Sequence, residues 1–90
     1  MDERTELLRK IAMLCIDING IGDGNRLENG KPTVFMDLSG HTGTAQVRIF
    51  ESGWFSDSYP DFKFDLDDIQ RNTFEFIECI DHLEMIKERL

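Results

Sequence analysis

Basic residues are scarce in this sequence. Ten lysines and arginines stand against eighteen aspartates and glutamates, which gives a formal net charge of −8. A field of that sign repels phosphate backbones and anionic lipid head groups, so we expect neither direct nucleic-acid binding nor attachment to a membrane. The longest unbroken apolar run, residues 11–16, is too short to cross a bilayer, and the charged start is not that of a signal peptide. These absences predict a cytoplasmic protein.

Cysteine is also scarce, and no catalytic motif is present. Cys15 and Cys79 each fall within an apolar helical pattern, which is typical of reduced core thiols and not of a disulfide framework. The chain contains neither the phosphate-binding pattern GxxxxGK followed by Ser or Thr, nor the nucleophile elbow GxSxG. Residues 1–90 suffice for one small domain. We therefore expect a single acidic domain that is not an enzyme and needs no cofactor.

One stretch resembles a calcium-binding loop. Residues 17–28 read DINGIGDGNRLE, which places Asp17, Asn19 and Glu28 at ligand positions of the EF-hand pattern. Ile21 stands where that pattern needs an oxygen ligand, and Asn-Gly and Lys-Pro follow where the second helix should run. We interpret the stretch as a glycine-rich connecting loop and predict no calcium site.

A zinc site would need residues from distant parts of the chain. Cys79 and His82 share a helix face at a spacing of three residues, which suits two zinc ligands. Cys15 and His41 would have to complete the set. We favour a buried thiol and a surface imidazole, and predict no metal here either.

Alternation between apolar and polar residues is the clearest positive signal. It runs through residues 33–50 and predicts two half-buried antiparallel strands around a turn at residues 40–43. With that turn, Met36 lies opposite Val47, and a slip of one residue would place apolar side chains opposite polar ones. The inward residues would be Val34, Met36, Leu38, Ala45, Val47 and Ile49.

A third strand and two helices complete the pattern. Phe62, Phe64 and Leu66 alternate with charged residues, which predicts a strand beside the second one. Amphipathic helices are predicted over residues 3–16, closed by Gly20, and from Asp68 to the C-terminus, started by a capping box of Asp67 and Gln70. The buried face of the first helix would comprise Leu7, Leu8, Ile11, Leu14, Cys15 and Ile18. That of the second would comprise Ile69, Thr73, Phe76, Ile77, Ile80, Leu83 and Leu90, widened by Phe74, Met85 and Ile86.

These elements predict an α+β fold in the order α-β-β-β-α. Both helices must bury an apolar stripe, and the sheet offers one apolar face, so a two-layer sandwich is the economical arrangement. One layer would be a three-stranded antiparallel meander. The other would be the N- and C-terminal helices, packed together on one face of the sheet.

The opposite face of the sheet has no third helix to cover it. It would show Phe35, Arg48 and Phe50. The aromatic residues of the loop that follows, Trp54 and Tyr59, would either pack under the loop as a satellite of the core or join this face as exposed anchors. Aromatic and arginine side chains bordered by charge are typical of contact surfaces. We therefore predict that these five residues bind another protein or a second copy of the chain.

The acidic side of the C-terminal helix supports an alternative hypothesis. Glu75, Glu78, Asp81, Glu84 and Glu88 would form a stripe, which could occupy a basic groove as a mimic of nucleic acid. Small, strongly acidic chains of this kind are common among phage-encoded accessory and inhibitor proteins. Salt distinguishes the two hypotheses, because a charge-driven complex weakens steeply as ionic strength rises.

Overall fold

The computed structural model describes residues 3–21, 31–41, 43–54, 59–67 and 73–90. Its helices and strands are α1 (Glu3–Asn19), β1 (Thr33–Ser39), β2 (Thr44–Phe50), β3 (Phe62–Asp67) and α2 (Phe74–Glu88). The strands form one antiparallel sheet in the order β1-β2-β3. The predicted α-β-β-β-α order and the three-stranded meander are therefore confirmed.

The hairpin has the predicted register. Met36 pairs with Val47, and the pairing continues along both strands without a slip. Val47 also pairs with Phe64, so β3 lies beside β2 as expected. Gly43 has a φ of 66°, a left-handed conformation that glycine adopts without steric conflict and that helps the chain reverse direction. Thr42, in the same predicted turn, lies outside the described residues.

The hydrophobic core lies between the two helices and one face of the sheet. Period-two alternation puts the inward strand residues on that face, and helical spacing gives each helix a single buried stripe. The helices contribute Ile11, Leu14, Cys15, Ile18, Phe76, Cys79, Ile80, Leu83 and Ile86. The sheet contributes Val34, Ala45, Val47, Ile49 and Leu66.

A glycine-terminated turn ends α1. The helix continues to Asn19, past the predicted end at Ile16. Gly20 follows in the predicted left-handed conformation, with a φ of 65°. The N–H groups of Gly20 and Ile21 donate to the carbonyl oxygens of Asp17 and Ile16, each at 3.3 Å. This is the Schellman arrangement, which satisfies carbonyl groups that the end of a helix leaves free.

A side chain joins the end of α1 to the backbone of β1. Asn19 Nδ2 donates to the carbonyl oxygen of Val34 at 2.7 Å, and Asn19 Oδ1 accepts from the Val34 N–H at 2.8 Å. In an antiparallel strand the N–H and C=O of one residue point to the same side, so these groups of Val34 face away from β2. Asn19 therefore closes part of an edge at which a foreign strand could otherwise pair.

The second helix is described from Phe74 onward. Thr73 occupies its N-cap position without a side-chain hydrogen bond. The predicted start at Asp68 and the capping box that includes Gln70 lie outside the described residues.

The buried stripe of α2 is narrower than predicted. A helix that packs on one layer buries little more than a third of its circumference, and residues at the margin of the stripe stay in solvent. The predicted residues that are exposed are Phe74, Ile77, Met85 and Leu90.

Two strand residues predicted to face the helices are largely exposed. Leu38 is 70% exposed and lies near the hairpin turn, on the rim of an open cavity of about 400 Å³. Phe62 begins the edge strand β3 and is also exposed. Alternation assigns a side chain to one face of a strand, but it does not show how far the covering helices reach along that face.

Val47→Ala should lower the free energy of unfolding by about 1–3 kcal/mol. Val47 is fully buried between β1 and β3, so removing its methyl groups leaves a cavity. Its neighbour Gln46 faces the other side of the sheet, and Gln46→Ala is the matched control, with an expected change of at most about 0.5 kcal/mol. Chemical denaturation measures both variants, and equal losses would contradict the register.

Candidate functional site

The sheet face opposite the helices carries aromatic side chains at one end. Strand pairing places Phe35 beside Arg48 and Thr33 beside Phe50, as predicted. The segment after β2 brings Trp54 to the same end of the sheet, against Phe35. Together, Phe35, Phe50 and Trp54 form an aromatic cluster.

The rings of the aromatic cluster contact one another edge to face. The centroid of Phe35 lies 5.5 Å from that of Phe50 and 6.1 Å from that of Trp54, with interplanar angles of 81° and 68°. Such pairs are favourable because the positive edge of one ring meets the negative face of the other. Arg48 lies across the cluster, with its guanidinium carbon 5.0 Å from the Phe35 centroid, which is within range of a cation–π interaction.

Phe50 is buried in this arrangement, at 2% exposure, so the expectation that its ring stands free on the open face is wrong. Alternation gave the correct face but could not show that the following segment folds back. Gly53 N–H donates to the Phe50 carbonyl at 3.2 Å, and Gly53 has a φ of 97°, which reverses the chain there.

Among the aromatic residues predicted to make the contact, Trp54 and Tyr59 remain accessible, and Phe35 remains partly so. Trp54 is 53% exposed and Tyr59 is 89% exposed, while Phe35 is half-buried. Within the described part of the chain, Tyr59 has no ring contact with the aromatic cluster. The structure therefore brings together four of the five predicted contact residues and leaves Tyr59 outside the group.

Polar contacts continue the open face beyond the aromatic cluster. Arg48 Nη2 donates to Asp37 Oδ2 at 3.2 Å, and Gln46 Nε2 donates to Asp65 Oδ1 at 3.0 Å. An exposed ion pair of this kind contributes little stability, but it holds the guanidinium beside Phe35. Sequence reasoning missed Asp37. The register could have located it, because diagonal neighbours on adjacent strands are within reach of a long side chain.

The acidic residues of α2 do not form one uninterrupted stripe. Glu84 Oε1 lies 3.1 Å from Lys10 Nζ, so this carboxylate faces α1 and has a cation beside it. The helical spacing could not show a cation on a neighbouring helix. Glu75 and Glu84 are half-buried, and Glu78, Asp81 and Glu88 are exposed.

Two residues of the calcium-like stretch have other partners. Asp17 Oδ2 accepts a hydrogen bond from Lys87 Nζ at 2.8 Å, and Asn19 binds the backbone of Val34. Residues 22–30, which hold most of the remaining pattern, lie outside the described residues. The engaged side chains would have to exchange these partners to coordinate a cation.

Burial keeps both thiols protonated at neutral pH. Desolvation raises the pKa of Cys15 from 9.0 to about 11; desolvation, with a further contribution from nearby Cys15, raises the pKa of Cys79 to about 12. A protonated, buried thiol is a poor nucleophile and a poor metal ligand. His41 lies near the hairpin turn, and His82 Nε2 lies 3.3 Å from Glu51 Oε1. Across the described ranges, His, Cys, Asp and Glu form no group of three or more that could hold a metal ion.

Neither α1 nor α2, the helices of the described chain, is long and apolar enough to cross a membrane. In comparisons with known proteins, no family model, no curated protein and no solved structure matches this chain. Function is therefore inferred from the geometry of the chain alone.

Proposed function

We propose that this chain is a non-enzymatic protein-binding domain that contacts its partner through the accessible side of the aromatic cluster. The observation that carries the proposal is the position of Trp54, which is 53% exposed although its ring is held against Phe35. Binding energy in protein interfaces concentrates in aromatic and arginine side chains that a partner can desolvate. Trp54 and Arg48, which both contact Phe35, have this character.

Contacts within the chain already restrain the proposed binding residues. Phe35 packs against the buried ring of Phe50, and Arg48 is held between Phe35 and Asp37. A side chain that is restrained before association loses less rotamer entropy when the partner binds. The partner would be another protein or a second copy of the chain. A reducing, cytoplasmic location would suit the two free core thiols.

The nucleic-acid-mimic hypothesis has weaker support. A mimic of this kind would present a row of free carboxylates to a basic groove. Glu84 is paired with Lys10, and Glu75 is half-buried. Three of the five predicted acidic residues, Glu78, Asp81 and Glu88, are exposed, which gives a shorter charged surface than the sequence suggested.

Trp54→Ala should weaken association by about 2 kcal/mol, roughly a 30-fold rise in Kd, because a restrained interface aromatic is lost. Sedimentation velocity measures self-association, and titration against a protein captured on the immobilised chain measures binding to another protein. The melting temperature should change little. Phe74→Ala removes an exposed ring from α2 and is the matched control, for which Kd should stay unchanged.

Charge reversal at Glu75 and Glu88, two of the predicted acidic residues, separates this proposal from the alternative. For an interface centred on Trp54, the reversals should mainly alter the association rate and its salt dependence. If they abolish binding while Trp54→Ala leaves it intact, the nucleic-acid-mimic hypothesis replaces the one proposed here.

A further inference from the structure

An open groove lies between β3 and α2, on the helix side of the sheet. Its volume is about 480 Å³, and it is lined by Phe62, Phe64, Glu78, Asp81, His82 and Met85. Phe62 and Met85 are 42% and 40% exposed. Apolar surface is thus accessible along the outer edge of the sheet, at a place distinct from the aromatic cluster.

The direction of the backbone groups in β2 follows from the Asn19 contact. Val34 turns its N–H and C=O toward Asn19 and away from β2. Its pairing partner Ile49 must then direct its own N–H and C=O toward β3. The Ile49 carbonyl indeed accepts from the Asp61 N–H at 2.8 Å, on the β3 side.

The same alternation leaves one edge of β3 without a neighbouring strand among the described residues. Phe62 and Phe64 pair with Ile49 and Val47, so their backbone groups face β2. Lys63 and Asp65 therefore direct their N–H and C=O groups outward, beside the groove. Within the described part of the chain these outward groups have no partner. An unpaired edge of this kind can accept an extended segment as an added strand.

The groove is bordered by carboxylates that are not in ion pairs with the residues that the structure describes. Glu78 and Asp81 have no ion-pair partner among the described residues, in contrast to Glu84, which pairs with Lys10. His82 lies against Phe62, with the ring centroids 4.0 Å apart, and its Nε2 is directed to Glu51. A positively charged occupant would find both carboxylates accessible.

We propose that the free edge of β3 receives an extended basic segment of another protein as a fourth strand. The backbone of the segment would bond to Lys63 and Asp65. Alternate Lys or Arg side chains would enter the groove, with their methylene stems on Phe62 and their cations near Glu78 and Asp81. This surface acts independently of the aromatic cluster.

A second copy of the chain could pair with the backbone of β3, but its negative charge would oppose the association. Antiparallel pairing of two β3 strands about Phe64 would place each Lys63 opposite an Asp65, which is favourable. The same pairing would bring Glu78 and Asp81 of both copies to one groove and join two molecules that each carry a net charge of −8. A basic segment fits the edge without that repulsion.

A labelled peptide of about eight alternating lysine and valine residues, the length of an ordinary strand, is the probe. On binding, the fluorescence anisotropy of the peptide should rise, and the amide NMR signals of Lys63 and Asp65 should shift. The affinity of the peptide for the chain should fall as the salt concentration rises. A peptide of alternating glutamate and valine should bind about tenfold more weakly or worse. The lysine–valine peptide N-methylated along one edge should lose affinity to a similar degree, because it cannot donate to β3.

Glu78→Gln combined with Asp81→Asn should raise the Kd of the lysine–valine peptide about tenfold. Glu3→Gln combined with Glu88→Gln removes the same charge from exposed positions outside the groove, and should change Kd less than about threefold. Trp54→Ala should have no effect on this Kd. The proposal is overturned if the lysine–valine peptide does not bind, if N-methylation is without effect, or if both double variants weaken binding equally. A homodimer with contacts across Phe64 would assign the edge to a second copy instead.

Discussion

Phe50→Ala is expected to lower the free energy of unfolding by about 3–5 kcal/mol, the range for truncation of a buried phenylalanine. The ring is 2% exposed and packs edge to face on Phe35, so its removal leaves a cavity within the aromatic cluster. Chemical denaturation followed by far-UV circular dichroism measures the loss. The effect on partner binding should follow from this instability, and not from the removal of an exposed contact.

Phe74→Ala is the matched control for that measurement. It removes the same side chain from an exposed position at the start of α2, and should change the free energy of unfolding by at most about 0.5 kcal/mol. If Phe50→Ala costs no more than Phe74→Ala, the ring of Phe50 is not packed as described.

Asn19→Ala is expected to lower the free energy of unfolding by about 2–4 kcal/mol. The substitution removes both hydrogen bonds to Val34 and leaves a partly buried N–H and C=O without a protein partner. Thermal and chemical denaturation would measure the loss. Amide hydrogen exchange should also become faster at Val34, by a larger factor than at the other residues of β1.

Asp17→Ala tests whether the Asn19 effect comes from the backbone contact. Asp17 also lies near the end of α1 and also binds a distant residue, Lys87, at 2.8 Å. Both side chains of that pair are substantially exposed, so its loss should cost at most about 1 kcal/mol. Equal losses of stability in the two variants would show that the hydrogen bonds to Val34 contribute no more than the exposed ion pair.

The sequence predicted the parts of the fold that rest on repeated spacing. Alternation around one turn sufficed for the pairing of Met36 with Val47, because any slip would have reversed the face of every side chain. Helical spacing likewise sufficed for the buried stripe of α1. These signals are sums over many residues, so one exception does not change the result.

The predictions that were wrong depend on contacts between segments that are distant in the sequence. Whether Phe50 is free or buried depends on the segment that carries Trp54, and whether Glu84 is free depends on Lys10. The groove between β3 and α2 was missed because the spacing within each element does not show that Phe62 lies beside Glu78 and Asp81.

The pairing of α1 with α2 has a consequence for how the protein is made. Asp17 and Lys87 are 70 residues apart in the chain, yet they are in contact. As the chain is synthesised, the hairpin can close locally, but the apolar stripe of α1 lacks the part of its cover that α2 supplies until residues 76–86 have emerged. Until then Ile11 and Leu14 remain available to chaperones or to other nascent chains. Resistance to protease should therefore appear only after α2 has left the ribosome.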